Sequence, residues 1–451
     1  MLNIVHKNRK IEAEYVSMDE LYQAYRDCLK RKISTINALD FEIDDYNKLY
    51  QLYIELNNKT YTIGKSIAFC VEKPVKREIF AADFKDRIVH HLVMNRILKY
   101  FENDFIDKTF SCRVGKGTEY GVKCLYNDLK EITCNFTKEA YVIKCDLKSF
   151  FMSLPKQCLY DKIAILLQTN YKEDNLDFWL HLIHNIIFNE PQKNCLRKQH
   201  ISHWNDLPSD KSLFSCKKGY GLPIGNLTSQ IFANFYLSEF DHWITTTLGI
   251  KYYGRYVDDF YILLPWEEKD KTTELYTQIK EKLDSMGVTL HPKKFYHQPS
   301  SKGVKFIGSV IKYNRVYIAN RTKGNFYNLL SQMNIEMSLY KQYQKDYILL
   351  QNIKYYVNAI NSYLGFLRHK KSFNIRYKML SSVLIQPLYQ YCYPNASLTK
   401  LIICSDYRLI FSKNKKKPFS STEIKDNNYI TELFKQIYKD KKLYKTKEFI
   451  L

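Results

Sequence analysis

Three aspartates, Asp146, Asp258 and Asp259, stand where side chains could do chemistry. Asp146 closes an apolar run, Tyr141-Val-Ile-Lys-Cys, and the Asp258-Asp259 doublet sits between two β-rich arms within residues 251–265. Carboxylates at the ends of adjacent strands can converge on one point. Once converged they repel unless cations neutralise them, which favours divalent metal. Two Mg2+ ions in such a site suit in-line phosphoryl transfer. An Asp-Asp pair alone is a common polar turn. What gives this one weight is the order of its neighbours: a strand ending in Asp146, a Gly-rich segment before a helix (219–229), then the Tyr256-Val257-Asp258-Asp259 hairpin.

The elements that must position these residues are legible in the hydrophobic spacing. Leu21, Ala24, Tyr25 and Cys28, then Tyr46, Leu49, Tyr53 and Leu56, recur at helical intervals, so residues 18–57 are expected to be helical. Residues 60–80 alternate and are β-branched, which predicts a strand or hairpin, and 86–105 read as a helix. Residues 141–151 read as a buried strand ending in a turn, 226–248 as one long helix and 251–265 as a hairpin. Residues 267–286 read as a charged amphipathic helix and 304–318 as a second hairpin with Asn314 near its turn. From about 323 the pattern is helical, and the polar stretch 189–218, with Pro191 and Pro208, is expected to be a long loop or insertion. His90 and His91 are adjacent on a helix and point about 100° apart, so they read as structural rather than as metal ligands.

The 451 residues suit several packed subdomains. Lys+Arg 69 against Asp+Glu 47 leaves +22, a field that favours polyanions, nucleic acid before anionic membrane. The same balance fits a basic protein from an AT-rich genome. With only 14 Gly and 11 Pro, collagen-like and low-complexity classes are excluded. The 11 cysteines are single, with no CxxC pair, which argues against a zinc ribbon or thioredoxin-type site. No long apolar region opens the chain and no run of 18 apolar residues occurs, so the expectation is reduced thiols, a cytoplasmic location and no membrane partner.

The blocks carry a resemblance. Tyr256-Val257-Asp258-Asp259 resembles the signature of reverse transcriptases, and Asp146 within KCDLKSFF looks like their first catalytic aspartate. GLPIGNLTSQ (221–230) resembles their segment that packs against template and incoming nucleotide. Its Ile-Gly-Asn-Leu-Thr-Ser-Gln form is similar to that of diversity-generating-retroelement enzymes and their bacterial defence-associated, abortive-infection-like relatives. Group II intron and retroviral enzymes tend to carry Gln and Pro where this chain has Ile224 and Gln230. AADFKDRIVHH (81–91), CRVGKGTEYGVK (112–123), QPSSKGVKFIG (298–308) and NSYLGFLRHKKSFNIRYK (361–378) also look like family blocks, so the resemblance spans roughly 18–380.

The resemblance implies an α/β (α+β) right-hand polymerase with fingers, palm, thumb and a helical C-terminal region. Its expected parts are N-terminal helices and fingers (1–140), palm (141–155), fingers or insertion (156–222), palm with catalytic hairpin and primer grip (223–318), helical thumb (319–395) and a basic appendage (396–451). Asp146 and Asp258 are implied to bridge two Mg2+ ions, with Asp259 in support and the carbonyl of Leu147 completing one shell. Phe151 resembles the steric gate against a ribonucleotide 2′-hydroxyl. Arg77, with Lys73 or Lys76, resembles the triphosphate grip, which suits guanidinium geometry. Lys294 resembles the lysine that protonates pyrophosphate, with Lys293 an equal candidate by spacing. Ile224 and Gly225 are implied to lie beneath the nascent pair, and Phe306, Ile307 and Gly308 to form the primer grip. Arg113 is open between a template contact and a structural role. Arg368, His369, Lys370, Lys371, Arg376 and Lys378 suit a heteroduplex backbone.

The implied activity is RNA-directed DNA synthesis. Its partners are an RNA template, a DNA or RNA primer, the cDNA product and deoxynucleotides, with a non-coding RNA or accessory protein as further candidates. Anti-phage defence is the favoured setting, because the chain runs on beyond the thumb-like block. Error-prone, adenine-mutagenic copying by a diversity-generating retroelement is the alternative, hinted at by Ile224, and template-independent or protein-primed synthesis is another. A non-catalytic RNA-binding scaffold would instead bind nucleic acid regardless of the aspartates.

Overall fold

The computed structural model describes residues 13–30, 35–72, 75–342, 346–368 and 372–404, with side chains from 340 to 351 excepted. They form two compact units, Met1–Pro299 and Ser300–Leu451.

The first unit opens with α1 (Met18–Leu29), α2 (Ile36–Glu42) and α3 (Asp45–Asn57). Ser17 and Glu20 cap α1 reciprocally, a box that contributes about 1 kcal/mol. Below the cap, Leu21, Ala24, Tyr25 and Cys28 are buried at the spacing read from the sequence. Strands β1 (Ser66–Val71) and β2 (Arg77–Ala81) form the expected hairpin and lead into α4 (Phe84–Asp104). Helix α4 is central. Its residues Ile88, Val89, Leu92, Val93, Ile97 and Phe101 are buried in the main core. Next come α5 (Thr118–Ile132), β3 (Ala140–Asp146), α6 (Phe150–Ser153), α7 (Lys156–Asn170), α8 (Leu176–Phe188) and β4 (Cys195–Arg197). The unit ends with α9 (Leu227–Tyr236), α10 (Ser238–His242), β5 (Tyr253–Tyr256), β6 (Asp259–Pro265), α11 (Thr272–Ser285) and β7 (Tyr296–Pro299).

Four of these strands make one antiparallel sheet in the order β5-β6-β3-β7. The central position of β3 explains its near-continuous apolar sequence: Val142, Ile143 and Cys145 are all buried. The stretch expected as a loop, 189–218, is short 3-10 turns plus β4, which pairs in parallel with β1. Buried Glu78 on β2 fastens it, accepting from the Trp204 indole (2.7 Å), the Ser212 hydroxyl (2.9 Å) and the Leu213 amide (2.6 Å). The single helix expected over 226–248 is broken at Leu237 and closes in a π-turn at Trp243–Thr247.

In the second unit, β8 (Val304–Phe306), β9 (Ser309–Lys312) and β10 (Arg315–Ile318) make a three-stranded meander where a two-stranded hairpin was expected. Helices α12 (Asn320–Gln342), α13 (Asp346–Arg368) and α14 (Phe373–Leu380) follow around a core that includes Phe326, Leu330, Met333, Tyr356, Ile360 and Leu364. Strands β11 (Cys392–Pro394) and β12 (Leu401–Ile403) close the unit as a small hairpin. The basic surface expected here loses one member. Arg376 is buried, its Nη1 donating to the Leu367 carbonyl (3.2 Å) and the Ser372 hydroxyl (2.9 Å). His369, Lys370, Lys371 and most of the 396–451 segment lie outside the described residues.

Candidate active site

Asp146 is the last residue of β3, and the register pairs it with Asp259, the first residue of β6. Asp258 occupies the two-residue loop between β5 and β6 with Val257. The Leu147 amide donates to the Asp258 carbonyl at 3.0 Å, tying the end of β3 to that loop. On the other side of β3, the His291 amide donates to the Asp146 carbonyl and the Lys148 amide to the Thr289 carbonyl, both at 2.8 Å. Residues far apart along the chain therefore meet at one end of the sheet.

The electrostatics there are tense. The Asp258 carboxyl titrates above its ordinary range, first because burial disfavours its charge and then because Asp146 repels it. Lys294 and Arg77 oppose that shift. Lys294 Nζ sits 2.7 Å from Asp146 Oδ1, while Lys293 is exposed and its amide turns to His291. Asp259 directs Oδ1 at the ammonium of Lys144, a buried lysine on β3. Burial pulls the Lys144 pKa down to about 7. Among the described residues no three His, Cys, Asp or Glu side chains gather as a metal-holding set. The pair Asp146 and Asp258 does fit a hard divalent cation: these are oxygen donors whose charges are close enough to repel, the condition a cation relieves.

The other expected site residues sit as follows. Arg77 begins β2 and is exposed; Lys73 lies outside the described residues, and Lys76 hydrogen-bonds the Asn205 carbonyl. Leu147 is buried directly after Asp146. Phe151 is half-buried against Phe150, ring centroids 5.8 Å apart, and its carbonyl accepts from the Leu222 amide at 2.8 Å. The Ile224 carbonyl accepts from the Phe80 amide at 2.8 Å. Gly225 has φ +124, and a Cβ there would stand 2.8 Å from Ile79 Cγ2, so only glycine allows this approach to β2. Phe306 is buried at the end of β8, and Ile307 (φ 44) and Gly308 (φ 73) form the turn into β9, all within the second unit.

Arg113 resolves to a structural role: it pairs with Glu102 (2.8 Å) and donates to the carbonyls of Ile106 (2.7 Å) and Thr109 (3.1 Å). His90 is buried beside Thr228. Two polar features escaped sequence reasoning. One is Lys144, whose signal was a lysine inside an apolar strand two residues before Asp146. The other is a fully buried Arg255–Asp241 pair, whose signal was an arginine immediately before Tyr256.

Residues 75–311 match the family described as reverse transcriptase (RNA-dependent DNA polymerase). That is more than half of the chain, and the chain belongs to this family. The mixed helix-and-sheet fold is that of a right-hand polymerase. Among solved structures, apo telomerase from Candida tropicalis truncated from its C-terminal domain is similar at 15% identity and a TM-score of 0.39. The match covers 57% of this chain and spans about half (55%) of that one. No curated protein matches the sequence. Among the described residues no helix is long and apolar enough to cross a membrane.

Proposed function

We propose that the protein copies an RNA template into cDNA by adding deoxynucleotides to a primer 3′-hydroxyl. The observation that carries this is the meeting of Asp146 and Asp258 at adjacent strand ends, with Lys294 on Asp146. In the reaction the 3′-oxygen attacks the α-phosphorus, the bond to the β-phosphate oxygen breaks, and pyrophosphate leaves. Asp146, Asp258 and the Leu147 carbonyl would hold two Mg2+ ions, with Asp259 in support. When bound, these ions stabilise charge on the attacking and leaving oxygens. Lys294 supplies a proton to the departing pyrophosphate. Arg77 grips the triphosphate and Phe151 excludes a 2′-hydroxyl. Ile224 and Gly225 lie under the nascent pair, and Phe306, Ile307 and Gly308 hold the primer end. Residues 1–140 and 156–222 act as fingers, 141–155 and 223–318 as palm, and 319–395 as thumb.

Primer extension by purified protein on a defined RNA template, with Asp258→Ala as control, tests this reading. Template-dependent cDNA from the parent and none from the variant is expected; equal yields refute it. The biological setting we propose is anti-phage defence, supported by a 224–230 block of the form that defence-associated enzymes share with diversity-generating ones. Host-cell survival of phage challenge that depends on Asp258 tests it, and survival unchanged by Asp258→Ala refutes it. Ile224 favours a second reading, adenine-mutagenic copying, and fidelity at template adenine equal to that at other bases discards it.

A further inference from the structure

Beneath the aspartate hairpin lies a polar cluster that none of these steps uses. Arg255 and Asp241 are completely buried. Arg255 Nε donates to Asp241 Oδ1 (2.7 Å) and Nη2 to Oδ2 (2.5 Å), a fork-to-fork pair. The Tyr253 hydroxyl (2.5 Å) and Thr109 hydroxyl (2.9 Å) also donate to Asp241. The guanidinium reaches further, from Nη2 to the Asn234 carbonyl (3.1 Å), and from Nη1 to Asn234 Oδ1 (3.0 Å) and the Val257 carbonyl (2.9 Å). The Arg255 backbone pairs with the 108–110 segment through Lys108 and Phe110. One residue thus ties α9 and α10 through its side chain, and the 108–110 segment through its backbone, to the loop that carries Asp258.

That loop needs tying. Val257 is β-branched yet has φ 57, a left-handed conformation costing roughly 1–3 kcal/mol that persists only where the surroundings over-determine it. Two hydrogen bonds do so: Arg255 Nη1 to the Val257 carbonyl, and the Leu147 amide to the Asp258 carbonyl. We propose that Arg255 is a positioning residue for polymerisation, holding the strained Val257-Asp258 turn in the conformation that keeps Asp258 beside Asp146. This rests on the polymerase reading above. Lysine keeps the charge facing Asp241 but lacks the planar fork, so it cannot also span to Val257. Glycine at 257 adopts positive φ freely, so it makes the anchor less necessary.

The test compares the full-length parent, Arg255→Lys and Arg255→Lys/Val257→Gly in primer extension and in amide exchange of the metal-free protein. Arg255→Lys is expected to lower kcat by roughly 100-fold with KM for deoxynucleotide unchanged. Its Leu147 amide should lose protection while Val142 and Ile143 keep theirs. Adding Val257→Gly should recover most of the rate. If Arg255→Lys does not fold, Arg255→Gln/Asp241→Asn, which leaves no lone buried charge, is read the same way. Parental kcat with protected Leu147 overturns the proposal. So does loss of protection along all of β3, or no recovery with Val257→Gly. A parent that makes no DNA refutes the polymerase reading instead, and the exchange pattern still decides the role of Arg255.

Discussion

Asp241 and Asp258 stand on either side of β5 in the chain and are opposites in environment. Asp241 is fully buried and receives both prongs of Arg255 and two hydroxyls. Asp258 is half-buried, takes a hydrogen bond from its own backbone and faces another carboxylate. Burial without a full complement of donors costs free energy, and folded chains seldom leave such a group short. The contrast teaches a division of labour. One carboxylate is completed by the chain and fixes the hairpin; the other is left short and awaits charge from elsewhere.

The largest effect that sharpens this contrast is expected from Asp258→Ala. DNA synthesis should fall to background while thermal stability holds or rises, since a repelled charge is removed. Asp241→Ala should do the reverse. It strands the Arg255 guanidinium in the core, at a cost of about 3–5 kcal/mol read from urea unfolding. A stable Asp241→Ala protein, or an Asp258→Ala protein that unfolds easily, breaks the comparison. The next effect belongs to the lysines. Lys294→Met should slow single-turnover extension roughly 100-fold, the general-acid contribution, whereas Lys293→Met should extend at nearly the parental rate. Equal losses from both would reduce the Lys294–Asp146 contact to generic positive charge.

The sequence shows the Asp258 half of this contrast more readily than the Asp241 half. Apolar runs ending in Asp146 and flanking Asp258 predict three strands and a tight turn, and β3, β5 and β6 are there. Asp241 and Arg255 are polar residues in segments read by their apolar period, so nothing local announces that they meet inside the core. Lys144 hid in the same way, since a lysine in a strand ordinarily faces water. The break at Leu237 and the third strand of the 304–318 meander were also invisible, because tertiary packing rather than propensity decides them. Glu78 is the clearest case: its partners Trp204, Ser212 and Leu213 lie in a stretch whose composition reads as loop.

Asp86 on α4 supplies a middle case and the smallest effect. It is completely buried and accepts from two neutral donors, the Tyr61 hydroxyl (2.7 Å) and the Gly64 amide (3.0 Å). Burial pushes its pKa up to about 6 from the ordinary 3.8; the Tyr61 bond pulls against that, and the Asp83 charge adds to it. The folded state therefore holds the Asp86 proton more tightly than the unfolded chain does. The stability this contributes is complete below about 4 and is lost as pH rises through about 6. Asp86→Asn, which cannot ionise, should remove that slope, so the difference in stability between parent and variant should drift by about 1–3 kcal/mol between pH 4 and 7. Unfolding curves that stay parallel over this range would mean that two neutral donors complete a buried carboxylate as well as Arg255 does. The shortage at Asp258 would then be a matter of Asp146 alone.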